Sequence, residues 1–245
     1  MNNQETLQKM KTMRLHGMYD LFHAQLKSLE HEQLTADELV GLLIDAEQED
    51  RQQRKTDRLL KAARFRYQAF VEHIDFITPR GLDKTQVLRL AEGTFIERAE
   101  NLVITGPTGV GKSYLASAIG HRACTNGYRV MYLNTAKLFG RLKMSRVDGS
   151  FTKLIRQIEK QDLLILDDFG LHPLDEDSRL MMLEVIEDRH GRKSTLITSQ
   201  LPVAQWYELF QAQTIADAVL DRIVHSAHRL EIKGESMRRN NVNKS

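Results

Sequence analysis

From residue 1 to about 72 the apolar positions recur at helical spacing, with no convincing strand pattern, no proline, and only Gly17 and Gly41 as glycines. Two stretches read as amphipathic. One covers Met18 to Leu29; the other begins near Thr35, where Asp37 and Glu38 suit the positive end of a helix dipole. The second runs through LVGLLIDAEQED into RQQRKTDRLLKAARFR. Pro79 and Gly81, in IDFITPRGLDKTQV, then break the pattern. From Asn101 the rhythm changes to short apolar runs alternating with helical ones. NLVIT precedes a helix over Lys112 to Thr125, and RVMYLN precedes helices over Ala136 to Lys143 and near Phe151. LLILDD, a helix from Asp175 to His190, STLITS, two short helices and RLEIKG complete the series. Continuous apolar strands alternating with helices predict an α/β fold, a parallel sheet covered on both faces. The expected division is a helical N-terminal domain over 1–72, a linker bordering a ligand pocket over 73–98, and an α/β core over 99–245.

Composition narrows this picture little: 41% hydrophobic and 28% charged residues are ordinary for a globular chain. Net charge is only +2, so any affinity for nucleic acid must come from placement. That placement is uneven. Arg51 to Arg66 holds seven Lys or Arg against one Asp, and Lys137 to Arg156 holds six against one. A single cysteine, Cys124, excludes an intramolecular disulfide and reads as a small core residue. The start MNNQETLQKM lacks a signal-peptide plan and no apolar run is long enough to span a bilayer, so a cytoplasmic protein is expected. The histidines show no metal-ligand spacing, and Trp206 reads as a packing anchor.

The chemistry lies at the ends of the predicted strands. NLVIT runs into GPTGVGKS, which fits G-x-x-x-x-G-K-[ST] between a strand and a helix. Gly106, Gly109 and Gly111 would let the backbone wrap phosphates with its amides pointing inward, Pro107, Thr108 and Val110 completing the nucleotide-binding loop and Tyr114 following in the helix behind. Lys112 would reach the outer phosphates and Ser113 would hold magnesium, so ATP with Mg2+ is the expected ligand. LLILDD ends in two acids. Asp167 is the candidate magnesium-side carboxylate and Asp168 the candidate base for the attacking water. STLITS ends at Thr198, Ser199 and Gln200, where a polar side chain could meet the terminal phosphate or the water or serve only to cap a turn; the sensor assignment lies between Ser199 and Gln200. Arg222, in LDRI, is either an arginine offered to a neighbouring subunit or an ordinary surface residue.

GPTGVGKS, LLILDD, LITSQ and LDRI, in this order, resemble the AAA+ branch of P-loop ATPases, in the clade of DnaA and DnaC. Over about 200 residues, including LLIDAEQEDRQQRKTDRLLKAARF, ERAENLVITGPTGVGKS and GESMR, the chain is similar to IstB-like helper ATPases of insertion sequences. The resemblance implies a three-layer αβα AAA+ core and an ATPase that oligomerises on duplex DNA and recruits or stimulates a partner transposase. It also implies catalytic roles for Lys112, Asp167 and Asp168, a trans-acting finger at Arg222, an adenine border near Phe76 to Leu82, and a second nucleotide sensor at Arg238. Asp168 stands where many relatives carry Glu, which predicts slow hydrolysis, and Gln200 stands where many carry Asn. The short stretch after RLEIKG leaves no room for the helical lid of larger AAA+ proteins. Rival readings are a helicase loader of the DnaC type, a nucleotide-gated binding module and a small-molecule P-loop kinase.

If Arg51 to Arg66 is one helix, a turn of about 100 degrees per residue places Arg51, Arg54, Lys55, Arg58, Lys61 and Arg66 within a band of about 140 degrees. Such a band could track phosphates, although Glu47, Glu49 and Asp50 are placed to pair with part of it. Lys137, Arg141, Lys143 and Arg146, with Lys153 and Arg156, form the second candidate DNA surface. No helix-turn-helix or zinc-finger pattern is evident, so base-specific reading is not expected.

Overall fold

Asn2 accepts a hydrogen bond from Gln4 N and so starts helix α1 (Asn3–Thr12), in a computed structural model that describes residues 2–27 and 34–237. α2 (His16–Lys27) and α3 (Ala36–Ala63) follow. Thr35 and Glu38 form a reciprocal cap at the start of α3: the Thr35 amide donates to Glu38 Oε2 at 2.8 Å, and Thr35 Oγ1 accepts from the Glu38 amide at 3.3 Å. The chain divides into two compact units, Met1–Arg58 and Leu59–Ser245.

Within the first unit the buried carboxylate of Glu47 accepts from the Gly17 amide at 2.9 Å. α2 and α3 meet so closely here that a Cβ on Gly17 would lie 2.2 Å from the Ala46 carbonyl oxygen. No side chain fits against backbone at that distance. Gly17→Ala is expected to cost about 1–3 kcal/mol, as overpacking does, lowering the melting temperature of the first unit; circular dichroism of the variant checks it.

The second unit begins earlier than the sequence pattern suggested, because residues beyond Arg58 belong to the core. Ala63, Ala69 and Val71 are buried in it, and Leu59, Leu60, Phe65 and Tyr67 pack against it. Residues 73–98 are likewise part of the packed unit: α4 (Lys84–Ala91) and α5 (Thr94–Glu97) bury Val87, Leu90, Ala91, Phe95 and Ile96.

From β1 (Leu102–Thr105) the alternation unfolds as expected: α6 (Lys112–Thr125), β2 (Val130–Asn134), α7 (Thr135–Val147), α8 (Phe151–Glu159), β3 (Leu163–Phe169), α9 (Glu176–Arg189), β4 (Ser194–Ser199), α10 (Trp206–Phe210), α11 (Gln213–Val224) and β5 (His228–Glu231). β5 is shorter than RLEIKG. Ile232 N still donates to Thr105 O at 2.8 Å, but Lys233 N turns to Arg80 O, and Gly234 (φ +98) leaves the sheet direction.

All strand pairs are parallel, in the order β2-β3-β4-β1-β5. Leu163 to Leu166 are fully buried, as a strand covered on both faces must be. One core lies on the α6 side, the other between the sheet and α7 to α11. Cys124 is buried in the first, and burial raises its thiol to about 12, as for an inert core group. Trp206 anchors the second, edge-on to Phe169 with ring centres 4.8 Å apart, and its Nε1 donates to Leu201 O. Among the described residues, no helix is long and apolar enough to cross a membrane.

Candidate nucleotide site

The loop from Gly106 to Gly111 joins the carboxyl end of β1 to the start of α6, where unpaired amides and the helix dipole favour an anion. Gly106 adopts φ +148, and a Cβ there would sit 2.1 Å from Ile232 O, so the loop closes against the chain leaving β5 only because this residue is glycine. Lys112 folds back over the loop, its Nζ donating to Gly106 O and Pro107 O at 2.8 Å each. Arg80, 6% exposed, holds the loop from outside by donating to Val110 O at 2.8 Å and to Asp75 O. Asp75 accepts from Thr78 and from the Ile77 amide, and these bonds hold its carboxyl down at about 2.

The acid pair sits where β3 loses register with β4, between Leu166 and Phe169. Such an irregularity re-aims side chains. Asp167 is fully buried. Its Oδ1 accepts from Ser113 Oγ at 2.8 Å and from Thr198 Oγ1 at 2.5 Å, while Oδ2 accepts from the Tyr132 hydroxyl. Burial, then the Asp167 hydrogen bond, push the Tyr132 hydroxyl well above its ordinary value, so it stays a donor. Asp168 takes a left-handed backbone, φ 57, which Asp tolerates better than most residues. Its Oδ2 accepts from Asn134 Nδ2 and lies beside Arg66 Nη1, each at 3.2 Å.

A cavity of about 580 Å³ lies over these groups. Thr108, Gly109, Gly111, Lys112, Ser113, Tyr114, Asp168 and Gln200 line it, and its wall also includes Arg66, Tyr67, Ile74, Asp75, Arg80, Leu82 and Met237. The expected border at Phe76 to Leu82 thus contributes Arg80 and Leu82, whereas Phe76 packs into the core. Ser199 and Gln200 part company: Ser199 is buried with its hydroxyl donating to Phe169 O, while Gln200 lines the cavity and accepts from Thr108 Oγ1 at 2.6 Å. Arg238 lies outside the described residues, as does most of the stretch in which a lid was judged to have no room.

Arg222 stands at the opposite, amino edge of the sheet. Its backbone carbonyl accepts from Asn101, just before β1; its Nη1 donates to Ala218 O at 2.7 Å, and Nε lies 2.6 Å from Glu187 Oε2. It does not line the cavity of its own chain.

Asn134 and Tyr132 were not expected beside the acids, nor Arg66 in the nucleotide cavity, whereas Thr198, a polar group at its strand end, does meet Asp167. RVMYLN ends in a polar residue much as LLILDD ends in acids; that was the available signal for Asn134. The expected helical band ends early, since α3 stops at Ala63 and Arg64 reverses the backbone at φ 56, so Arg66 turns to the acids. Arg51 and Arg54 pair with Glu47 and Asp50. Even so, Arg14, Arg51, Arg54, Lys55 and Arg58 gather around one depression of the first unit; Lys61 is exposed beyond it, on the second unit's side of the division. In the other cluster Lys137, Arg141 and Lys153 share a depression, whereas Lys143 faces Asp175 and Arg146 lies 3.7 Å from Asp177.

The donors fit a magnesium nucleotide. Mg2+ takes oxygen ligands, commonly one or two from protein and the rest from phosphate and water, and Ser113 with Asp167 supplies hydroxyl and carboxylate oxygens beside the phosphate loop. Among the described residues no group of three or more His, Cys, Asp or Glu could hold a metal alone.

A parallel sheet in this order, a phosphate loop after its β1 strand and paired acids at the carboxyl end of β3 define an AAA+ P-loop ATPase. Residues 8–245 match the family described as IstB-like ATP binding protein, and the chain belongs to that family. It is 47% identical over 240 residues to the insertion sequence ATP-binding protein y4pL of Sinorhizobium fredii (strain NBRC 101917 / NGR234), covering 98% of each chain. The corresponding IS21 protein of Pseudomonas aeruginosa is 32% identical, over 87% of this chain and 80% of its own. Among solved structures, the DnaC helicase loader shares the fold at 23% identity, with TM-score 0.55 over 68% of this chain and 98% of that one. DnaA bound to AMPPCP and single-stranded DNA does so at 18% identity, with TM-score 0.58 over 70% and 52%.

Proposed function

We propose that this chain is an ATP-dependent helper of transposition that assembles on duplex DNA and recruits or stimulates a transposase. The observation that carries the reading is end-to-end similarity to insertion-sequence ATP-binding proteins, joined here to a cavity lined by Lys112, Ser113 and Asp168, with Asp167 bonded to Ser113 at its edge. ATP with Mg2+ occupies that cavity: Lys112 and the loop amides hold the phosphates, Gln200 faces them, and Asp168 accepts a proton from the attacking water. Arg222, remote from its own cavity, serves a neighbouring copy, which ties turnover to assembly. The cationic depression of Arg14, Lys55 and Arg58 supplies sequence-tolerant phosphate contacts, supported by Lys137, Arg141 and Lys153.

Duplex binding and assembly size, measured with ATP, ADP and no nucleotide at several salt concentrations, test this. ATP should drive assembly on the duplex, and salt should weaken it. Lys55→Glu with Arg58→Glu should reduce affinity more than about tenfold and flatten the salt slope by about two. If ATP binds but duplex DNA neither associates nor changes assembly, the helper reading fails and helicase loading replaces it.

A further inference from the structure

Arg66 stands in the nucleotide cavity as a charged group that the phosphate-loop motif does not account for. Its position follows from the chain reversal at Arg64, which sends Phe65 into the core against Tyr132, ring centres 6.2 Å apart, and leaves Arg66 on the cavity wall. Nη1 lies 3.2 Å from Asp168 Oδ2 and 3.5 Å from Asp167 Oδ2, and the guanidinium carbon sits 5.5 Å over the Tyr67 ring. The side chain is 44% exposed, and both carboxylates meet the same atom, so other donors of the planar fork are available to a ligand.

We propose that Arg66 contacts the terminal phosphate of ATP from within the same chain and makes the site prefer ATP to ADP. The inference rests on reading Gly106 to Ser113 as the nucleotide loop. Amides at the start of α6 would cradle the inner phosphates, and Ser113 with Asp167 would hold a metal beside the terminal one. A cation touching both acids stands at that same end, not at the base. The Asp168 carboxylate on the cavity wall, with Asp167 behind it, leaves a bound triphosphate in need of positive charge beyond Lys112 and a metal. A guanidinium matches phosphate oxygens in a fork geometry that a lysine cannot reproduce.

Titration with fluorescent ADP and a fluorescent non-hydrolysable ATP analogue, in magnesium, tests the proposal on wild type, Arg66→Ala, Arg66→Lys and Lys112→Ala. Arg66→Ala should weaken the ATP analogue about tenfold, the size of one charge-assisted hydrogen bond, and ADP less than about twofold. Arg66→Lys should recover part of the loss. Melting without nucleotide should hardly move, because the residue is half exposed. Equal losses for both nucleotides, no loss, or tighter binding of the ATP analogue would each overturn the role of Arg66. Tighter binding would make it a competitor of the metal. Wild type that binds neither nucleotide would overturn the loop reading as well, whereas wild-type binding lost only in Lys112→Ala would leave the loop and remove Arg66.

Discussion

Lys112→Ala abolishes nucleotide binding at micromolar protein while the fold survives: that is the expected result, with ATP affinity falling by about 100-fold or more. Nζ stands over the loop, held by Gly106 O and Pro107 O, and Lys112 lines the cavity beside the start of α6. Two charge-assisted hydrogen bonds to phosphate, at about 1.5 kcal/mol each or more, account for about two orders of magnitude. Truncation also leaves two loop carbonyls without this donor, so a modest drop in melting temperature is expected beside the binding loss. The discriminating measurement is the ATP-induced rise in melting temperature, which follows ligand concentration over Kd and should vanish in the variant. Persistence of the wild-type rise would mean that ATP binds elsewhere.

Asp168→Asn should leave ATP affinity within a few-fold and lower turnover by about 100- to 10,000-fold, the range that a positioned general base contributes. Asn is the informative replacement because it keeps the shape and tolerates the left-handed backbone found here, φ 57. The proton-accepting charge is lost, and with it the charge that faces Arg66. Asp167→Asn should behave differently: with Oδ1 shared by Ser113 and Thr198 and Oδ2 bonded to Tyr132, its effect should appear first as a weaker dependence of binding on magnesium. Single-turnover hydrolysis alongside equilibrium binding separates the two. Unchanged turnover in Asp168→Asn would move the base to another group, Gln200 being too weak a base to serve.

The α/β class, the phosphate loop and the acids were legible in the chain because each rests on local pattern: strand apolarity, glycine spacing, and acids at a strand end. Asn134 was not, because alternation of strands and helices does not reveal that β2 lies beside β3; only sheet order brings its amide to Asp168. Arg66 was read as the end of a helical charge band since nothing at Arg64, neither glycine nor asparagine, announces a left-handed reversal. The choice between Ser199 and Gln200 turned on the same kind of information. A strand's side chains alternate, but which face meets the ligand depends on the neighbouring strand, here through Phe169 O. The division after Arg58 was not legible for a related reason: Leu59 and Leu60 continue a helix whose pattern is unbroken, and only tertiary packing brings them against the core.

The position of β1 between β4 and β5 bears on how the protein is made. A chain emerging from a ribosome presents β1 and its loop long before either partner strand exists, since Leu102 waits for Leu196 on one side and His228 on the other. The loop itself is closed by Ile232 against Gly106 and by the Met237 amide on Gly109 O. A nascent chain therefore carries every residue of the phosphate loop without a loop that can hold phosphate. Until residues 194–199 arrive, LVIT is an unpaired strand with three apolar residues in a row, and one of its edges stays open until 228–231 follow, the kind of exposed edge that invites wrong pairing.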